Sequence, residues 1–307
     1  MNHHVVPPLV LALAAGAVLP VGMSRSHWPH QAPRLALATW SALAAVFIAA
    51  SSCAALLLLL PYRSSVHLSD LAEACLPWAA QACVAPHLAG VRPTDLPAIA
   101  VALALLLLPA ALFLREAIRT RRLRVRHTEL LNLVGRWEPA LDATLFEHKT
   151  PAIYCVPGRS SQVVVSTGAL RALTVVQLDA ALRHERAHIA GRHHLLTVAA
   201  QSLSHSFPPI PLIRRITSEV PLLVEMTADD RALRACSREA LATALYSVAT
   251  GRAPQWTMSA GGPSAVLRVR RILTPESGRP VLLGLLTSAA VICAVTPIAL
   301  ACCLIQG

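Results

Sequence analysis

His184-Glu185-Arg186-Ala187-His188 closes the run Thr174-Val-Val-Gln177-Leu-Asp-Ala-Ala-Leu-Arg183, and Gly191 follows three residues later. Thr174 with Gln177 three positions on is a capping-box opening, so the spacing predicts a helix from about Val175 to Gly191, whose glycine can end it. One turn separates the two histidines. Both imidazoles therefore leave the same helix face and can share one zinc ion. Glu185 stands beside them, placed to take a proton from a metal-bound water. The pattern implies zinc-dependent peptide hydrolysis, and it asks for a third ligand.

Two residues compete for that place. His184-Glu-x-x-His188-x-x-Gly191-x-x-His194 fits the longer metzincin spacing, with His194 as ligand. Arg192, His193 and His194 together also read as polar residues at a helix end. The rival is Glu225 on a later helix, flanked by Val220, Leu222, Leu223 and Val224. Asp229 lies one turn further on the same face, where a carboxylate can orient a ligating histidine. Glu225 is the ligand we expect, giving a metal set of His184, His188 and Glu225, one zinc ion per chain, with Asp229 behind it.

Composition supplies the setting. The 307 residues are 55% hydrophobic and 14% charged, too apolar for an ordinary water-soluble chain. Val5–Met23, Leu35–Leu60, Leu96–Leu114 and Val281–Ile305 contain no Asp, Glu, Lys or Arg. Each approaches or exceeds the ~20 residues that a helix needs to cross the hydrocarbon core. Pro7, Pro8 and Pro20 make the first stretch the weakest, and Met1-Asn2-His3-His4 lacks the basic start of a signal peptide, so a retained anchor is expected.

Arg115, Arg119, Arg121, Arg122, Arg124 and Arg126 follow the third stretch, whereas the loop 61–95 balances Arg63 and Arg92 against Asp70, Glu73 and Asp95. The positive-inside rule then places 115–280 in the cytoplasm and the loop outside. This gives three transmembrane helices over 1–114 with an extracytoplasmic loop at 61–95, a cytosolic peptidase domain over 115–280, and a C-terminal transmembrane helix over 281–307. The net charge of +11 belongs to this topology and to anionic lipid, so no direct nucleic-acid partner is expected. Cys75 and Cys83, eight residues apart in the outer loop, suit a disulfide, while Cys155 and Cys236 on the cytoplasmic side should be reduced thiols.

Within 115–280 the opening to about Trp137 continues the third span as a helix. Pro151–Gly158 and Ser161–Gly168 read as two paired strands joined by a turn. Val163, Val164, Val165 and Ser166 are expected to form an edge strand on which an extended substrate can pair. Leu195–Ile213 carries Gln201, Ser202, Ser204, His205, Ser206 and three prolines, so it reads as an interfacial amphipathic segment rather than a crossing. A further helix should run from about Val220 through Leu233. The fold class is thus membrane α-helical, with about four transmembrane helices and a mainly helical α+β, zincin-like cytosolic peptidase domain. For the group facing the substrate carbonyl, His205, Arg231 and Tyr246 all remain open.

Spans ahead of a zincin domain, a strand ending Val-Ser-Thr-Gly-Ala-Leu170, the His184–His188 motif, Glu225-x-x-Ala-Asp229 and a final span together resemble the BlaR/MecR-type antirepressor metallopeptidases. The resemblance covers nearly the whole chain. It implies a multi-pass protein of the inner or plasma membrane with a cytoplasmic zinc peptidase of gluzincin type. It also implies signal transduction by cleavage of a BlaI-like transcriptional repressor, and it admits a homo-oligomer. The penicillin-binding sensor domain of well-studied members has no counterpart here: there is no Ser-x-x-Lys motif, and Lys149 is the sole lysine. Two other readings stay open, a quality-control membrane protease resembling the HtpX/CAAX-protease type and a non-catalytic receptor on a zincin fold.

Overall fold

The structure, a computed structural model, describes residues 5–59, 93–158, 161–207, 209–252 and 262–274. The expected Cys75–Cys83 disulfide and the span over 281–307 lie outside the described residues.

The first apolar stretch forms α1 (Val6–Leu13), a π-helical turn at Ala14–Val18 and α2 (Leu19–Ser24). Its prolines do not break it: Pro7 and Pro8 lie in the first turn of α1, where the missing N–H has no helical partner to lose, and Pro20 follows just after the π-helical turn. After the short α3 (Trp28–Gln31), α4 runs from Pro33 to Leu59. A turn at Pro93–Asp95 opens α5 (Leu96–Val134), a single helix of 39 residues that carries the third apolar stretch on through the arginine-rich segment. Val6–Ser24, Pro33–Leu59 and Pro93–Val134 are each long and apolar enough to cross a membrane. Leu103, Leu106, Leu107, Leu108 and Leu114 stay exposed along α5, an apolar face that fits lipid and not water.

The chain then makes a four-stranded sheet from β1 (Arg136–Glu138), β2 (Ala143–Phe146), β3 (Ile153–Val156) and β4 (Gln162–Ser166), in the order β1-β2-β4-β3. β3 and β4 are the antiparallel pair expected from the sequence, with Ile153 opposite Val165 and Cys155 opposite Val163. The edge assignment is corrected. β4 lies between β2 and β3, so both of its sides are already paired, and Val163, Val164, Val165 and Ser166 are buried. The Ser166 hydroxyl is committed as well: it accepts from the Ala152 and Ala169 N–H groups and donates to the Thr150 carbonyl. Among the described residues the outermost strand on this side is β3.

Ser166 caps α6 (Thr167–Ala172). Gly168 is obligatory there, since a Cβ would collide with the Lys149 backbone. Thr174 and Gln177 form the full capping box that starts α7 (Val175–Ala190), contributing ~1 kcal/mol. Gly191 follows in the right-handed region, and the left-handed residue that redirects the chain is Arg192, with φ 49°. α8 (His193–Ser206) and α9 (Pro211–Ala232) then form an antiparallel hairpin through the segment read as interfacial.

α9 begins nine residues earlier than the sequence suggested. Pro211 starts it, and Pro221 lies inside it. An interior proline costs ~3 kcal/mol. Burying one Leu or Ile side chain returns ~1.5–3 kcal/mol, and Leu212, Ile213, Ile216 and Leu223 of α9 are all buried against Trp28, Leu37, Trp40 and Leu43. Packing wins. α10 (Arg238–Arg252) and α11 (Gly262–Leu273) complete the domain, with Leu241, Ala244 and Ile272 buried against α7 and its neighbours.

Candidate metal centre

α7 presents His184 and His188 to α9, which presents Glu225 in return. The two Nε2 atoms are 3.1 Å apart, and the Glu225 carboxylate faces both, with Oε2 3.4 Å from His184 and Oε1 3.4 Å from His188. His184, His188 and Glu225 are the group of potential metal ligands found among the described residues. His194 is left out of it. It neighbours Arg124 of α5 and Arg192 instead, on another side of α8.

Each histidine is held from behind through Nδ1. His184 Nδ1 lies 3.0 Å from Asp229 Oδ1, and both residues are buried. His188 Nδ1 lies 3.0 Å from Nδ1 of His193, which the sequence offered only as a helix-end residue. His193 is buried, and its ring lies where a Cβ on Gly191 would fall, so Gly191 is needed to admit it. A histidine immediately after a helix-ending Gly-Arg pair carried no signal of this role, because Arg192 had to adopt the left-handed region to turn the ring back.

A second residue escaped the sequence reading. Arg268 of α11 reaches across the cluster with Nε 2.9 Å and Nη2 2.8 Å from the two Asp229 oxygens, and Nη1 2.7 Å from Glu225. Of the side chains left open for the carbonyl group, His205 stands in the last turn of α8 within electrostatic reach of Glu116, Arg231 lines a cavity with His193, and Tyr246 is exposed on α10. Arg268 is the cation the fold brings to the cluster.

The two histidines differ electrically. Burial pushes His184 down, but the Asp229 and Glu225 carboxylates outweigh it and hold its pKa at about 9. His188 has no carboxylate behind it, and burial takes it down to about 4. Burial would raise Glu225 and Asp229, yet the cations around them win: His184 and Arg268 bring Glu225 to about 2, and Arg268 and His184 bring Asp229 to about 2. Glu185 sits beside the pair with its carboxylate accepting the Cys155 N–H at 3.0 Å, and burial raises its pKa above the ordinary carboxylate value. Cys155 is on β3, so the outer strand of the sheet passes over Glu185. Burial also pushes the Cys155 thiol up to about 12, which makes it an unreactive group at this place.

Residues 117–210 match the family model for peptidase family M48. The matched segment contains His184, Glu185 and His188 and ends before Glu225. It supports a metallopeptidase domain, and the three apolar helices make the protein a membrane-associated one. No curated protein and no solved structure gives a significant match to the chain.

Proposed function

We propose that the protein is a membrane-embedded zinc endopeptidase of gluzincin type, with one zinc ion held by His184, His188 and Glu225. One observation carries the reading. The two Nε2 atoms are 3.1 Å apart, close to the roughly 3.3 Å edge of a tetrahedron with bonds of about 2.0–2.1 Å, and the Glu225 carboxylate spans the pair, with Oε2 3.4 Å from His184 Nε2 and Oε1 3.4 Å from His188 Nε2. Both Nδ1 atoms face orienting partners, which leaves the two Nε2 atoms for the ion. When bound, zinc would supply Lewis-acid polarisation of the scissile carbonyl and acidify its bound water.

The chain's own residues do the rest. Glu185 accepts a proton as a carboxylate and, with its pKa raised by burial, is suited to return that proton to the leaving amine. The outer edge of β3 lies beside Glu185 and takes an extended substrate by exchanging its present contacts, such as the Cys155 N–H bond to Glu185, for substrate main chain. Asp229 and His193 fix the ring orientations of His184 and His188.

The finer assignment follows the resemblance to BlaR/MecR-type antirepressors. The domain over 115–280 faces the cytoplasm of a multi-pass inner- or plasma-membrane protein, spans over 1–114 and 281–307 anchor it, and the substrate is a BlaI-like repressor in a signalling pathway. The second reading, a membrane quality-control protease, is favoured by the family match itself, which is to a general peptidase family rather than to antirepressors. Glu185→Gln tests the chemistry: zinc content should stay at the wild-type level while cleavage falls by about 10²–10⁴-fold. Retained cleavage in this variant would remove Glu185 from its role. A co-expressed BlaI-like repressor cut by wild type and left intact by Glu185→Gln supports the antirepressor assignment. Intact repressor together with cleavage of misfolded membrane proteins favours the second reading.

A further inference from the structure

A second place on the molecule is built for a ligand, apart from the metal cluster. A cavity of about 600 Å³ opens between the link Arg25–Ala32 and the helices α9, α10 and α11. Its wall includes His27, Arg234, Arg238, Arg270, Arg271 and a single carboxylate, Asp230. Arg271 is already engaged, 2.7 Å from Asp230 and donating to the His30 carbonyl at 2.6 Å. Arg238 spends one nitrogen on the Ile272 carbonyl. Arg234 and Arg270 are exposed to the cavity and form no ion pair among the described residues. Three formal positive charges therefore remain on this wall after Asp230 has neutralised Arg271.

From this arrangement we infer that the cavity binds a phosphate-bearing anion of headgroup size. Guanidinium groups recognise phosphate oxygens through paired charge-assisted hydrogen bonds, and an arginine-rich wall with its one acid already paired favours such a ligand. The volume falls in the usual range of small-molecule sites and exceeds what a lone phosphate ion fills. Position favours a lipid as the source. The link carrying His27 joins the ends of two helices able to cross a membrane, so the cavity opens near the headgroup layer, given the membrane reading of those helices. The site stands apart from the peptidase reading. Its frame touches the cluster only through α9 and α11, where Asp230–Arg271 neighbours Asp229–Arg268.

The test uses the full chain in neutral detergent, titrated with dihexanoyl phosphatidylglycerol, dihexanoyl phosphatidylcholine and inorganic phosphate, read by calorimetry and by the shift in Tm. Phosphatidylglycerol should bind saturably, and Arg234→Ala/Arg270→Ala should weaken it by about tenfold or more, since two charge-assisted contacts are lost. Phosphatidylcholine should bind more weakly than phosphatidylglycerol. Arg234→Lys/Arg270→Lys should retain part of the affinity. Inorganic phosphate that binds at the same residues more weakly than the lipid assigns the lipid as source; equal or tighter binding of phosphate assigns a soluble phosphate compound. Zinc content and unliganded Tm, read on the same samples, should not change, which separates this site from the metal centre. No saturable binding of either phosphate compound, or equal binding by wild type and the double alanine variant, overturns the inference. Variant-sensitive binding of a glutamate-rich peptide with neither phosphate compound bound also overturns it.

Discussion

The two sides of the metal cluster are built from different chemistry. On the α9–α11 side, His184 leans on Asp229, and Asp229 is clamped by Arg268. On the α8 side, His188 leans on His193, an imidazole with no full charge to offer. Two histidines one turn apart on one helix consequently move in opposite directions, to about 9 and about 4. Burial acts on both; the partner behind Nδ1 decides the sign. A ligand pair of this kind joins one strongly basic nitrogen and one weakly basic nitrogen on a common face.

The largest effect should come from breaking the charged side. Asp229→Ala takes away the carboxylate that holds Arg268 through two nitrogens and leaves it Glu225, and loss of one partner from a buried pair costs up to ~3–5 kcal/mol. Chemical denaturation should show that loss, and zinc affinity should fall by about 10–100-fold in a chelator competition. Unchanged stability would mean that Arg268 does not depend on Asp229.

A pH series on metal-depleted protein reads both sides at once. His184 is held at about 9 against an ordinary 6.5, so its contribution is full below pH ~6.5 and is lost as pH rises through about 9. His188 is depressed to about 4, so its contribution is full above pH ~6.5 and is lost as pH falls through about 4. Tm should peak near pH 6.5, with each flank belonging to a different histidine. Asp229→Ala should flatten the alkaline flank and leave the His188 flank between pH ~6.5 and about 4, while removing its own contribution, which is lost only as pH falls from the ordinary 3.8 through about 2. A flat profile in wild type would contradict the asymmetry.

The neutral side should be cheaper to break. His193→Ala removes the hydrogen bond behind His188 and should weaken zinc binding by about tenfold, with less loss of stability than Asp229→Ala. Gly191→Ala should have the smallest effect of the series, because it displaces the His193 ring without deleting it. Zinc affinity should lie between wild type and His193→Ala. If Gly191→Ala proves worse than His193→Ala, the glycine serves the backbone and not the ring.

What the sequence made legible follows the same division. The capping box at Thr174, the same-face histidines and the β3–β4 pair are local patterns, set by spacings of two to four residues, and the structure has them. Glu225 and Asp229 were accessible because they too share one helix face. Arg268 was not. It meets Asp229 across 39 residues of chain, and nothing in Val266-Leu-Arg-Val-Arg-Arg271 separates an arginine that enters a cluster from two neighbours that line a cavity. β1 and β2, with three and four residues and no alternation of burial, are strands only because β4 is there to pair with β2. The same neighbour makes β4 an inner strand and leaves the outer position to β3.

α5 has a mechanical side. From Pro109 to Val134 it is an unbroken rod of about 38 Å, and β1 begins two residues beyond it at Arg136. A tilt of roughly 5° about Pro109, where the helix lacks one of its hydrogen bonds, swings the far end by about 3 Å. That travel is as long as the hydrogen bond from Cys155 to Glu185, and the four strands form the stiff plate between the two points. The rod also packs against α8, where Arg124 neighbours His194, so the seat of the plate on the carboxylate is tied to the helix that follows the two histidines.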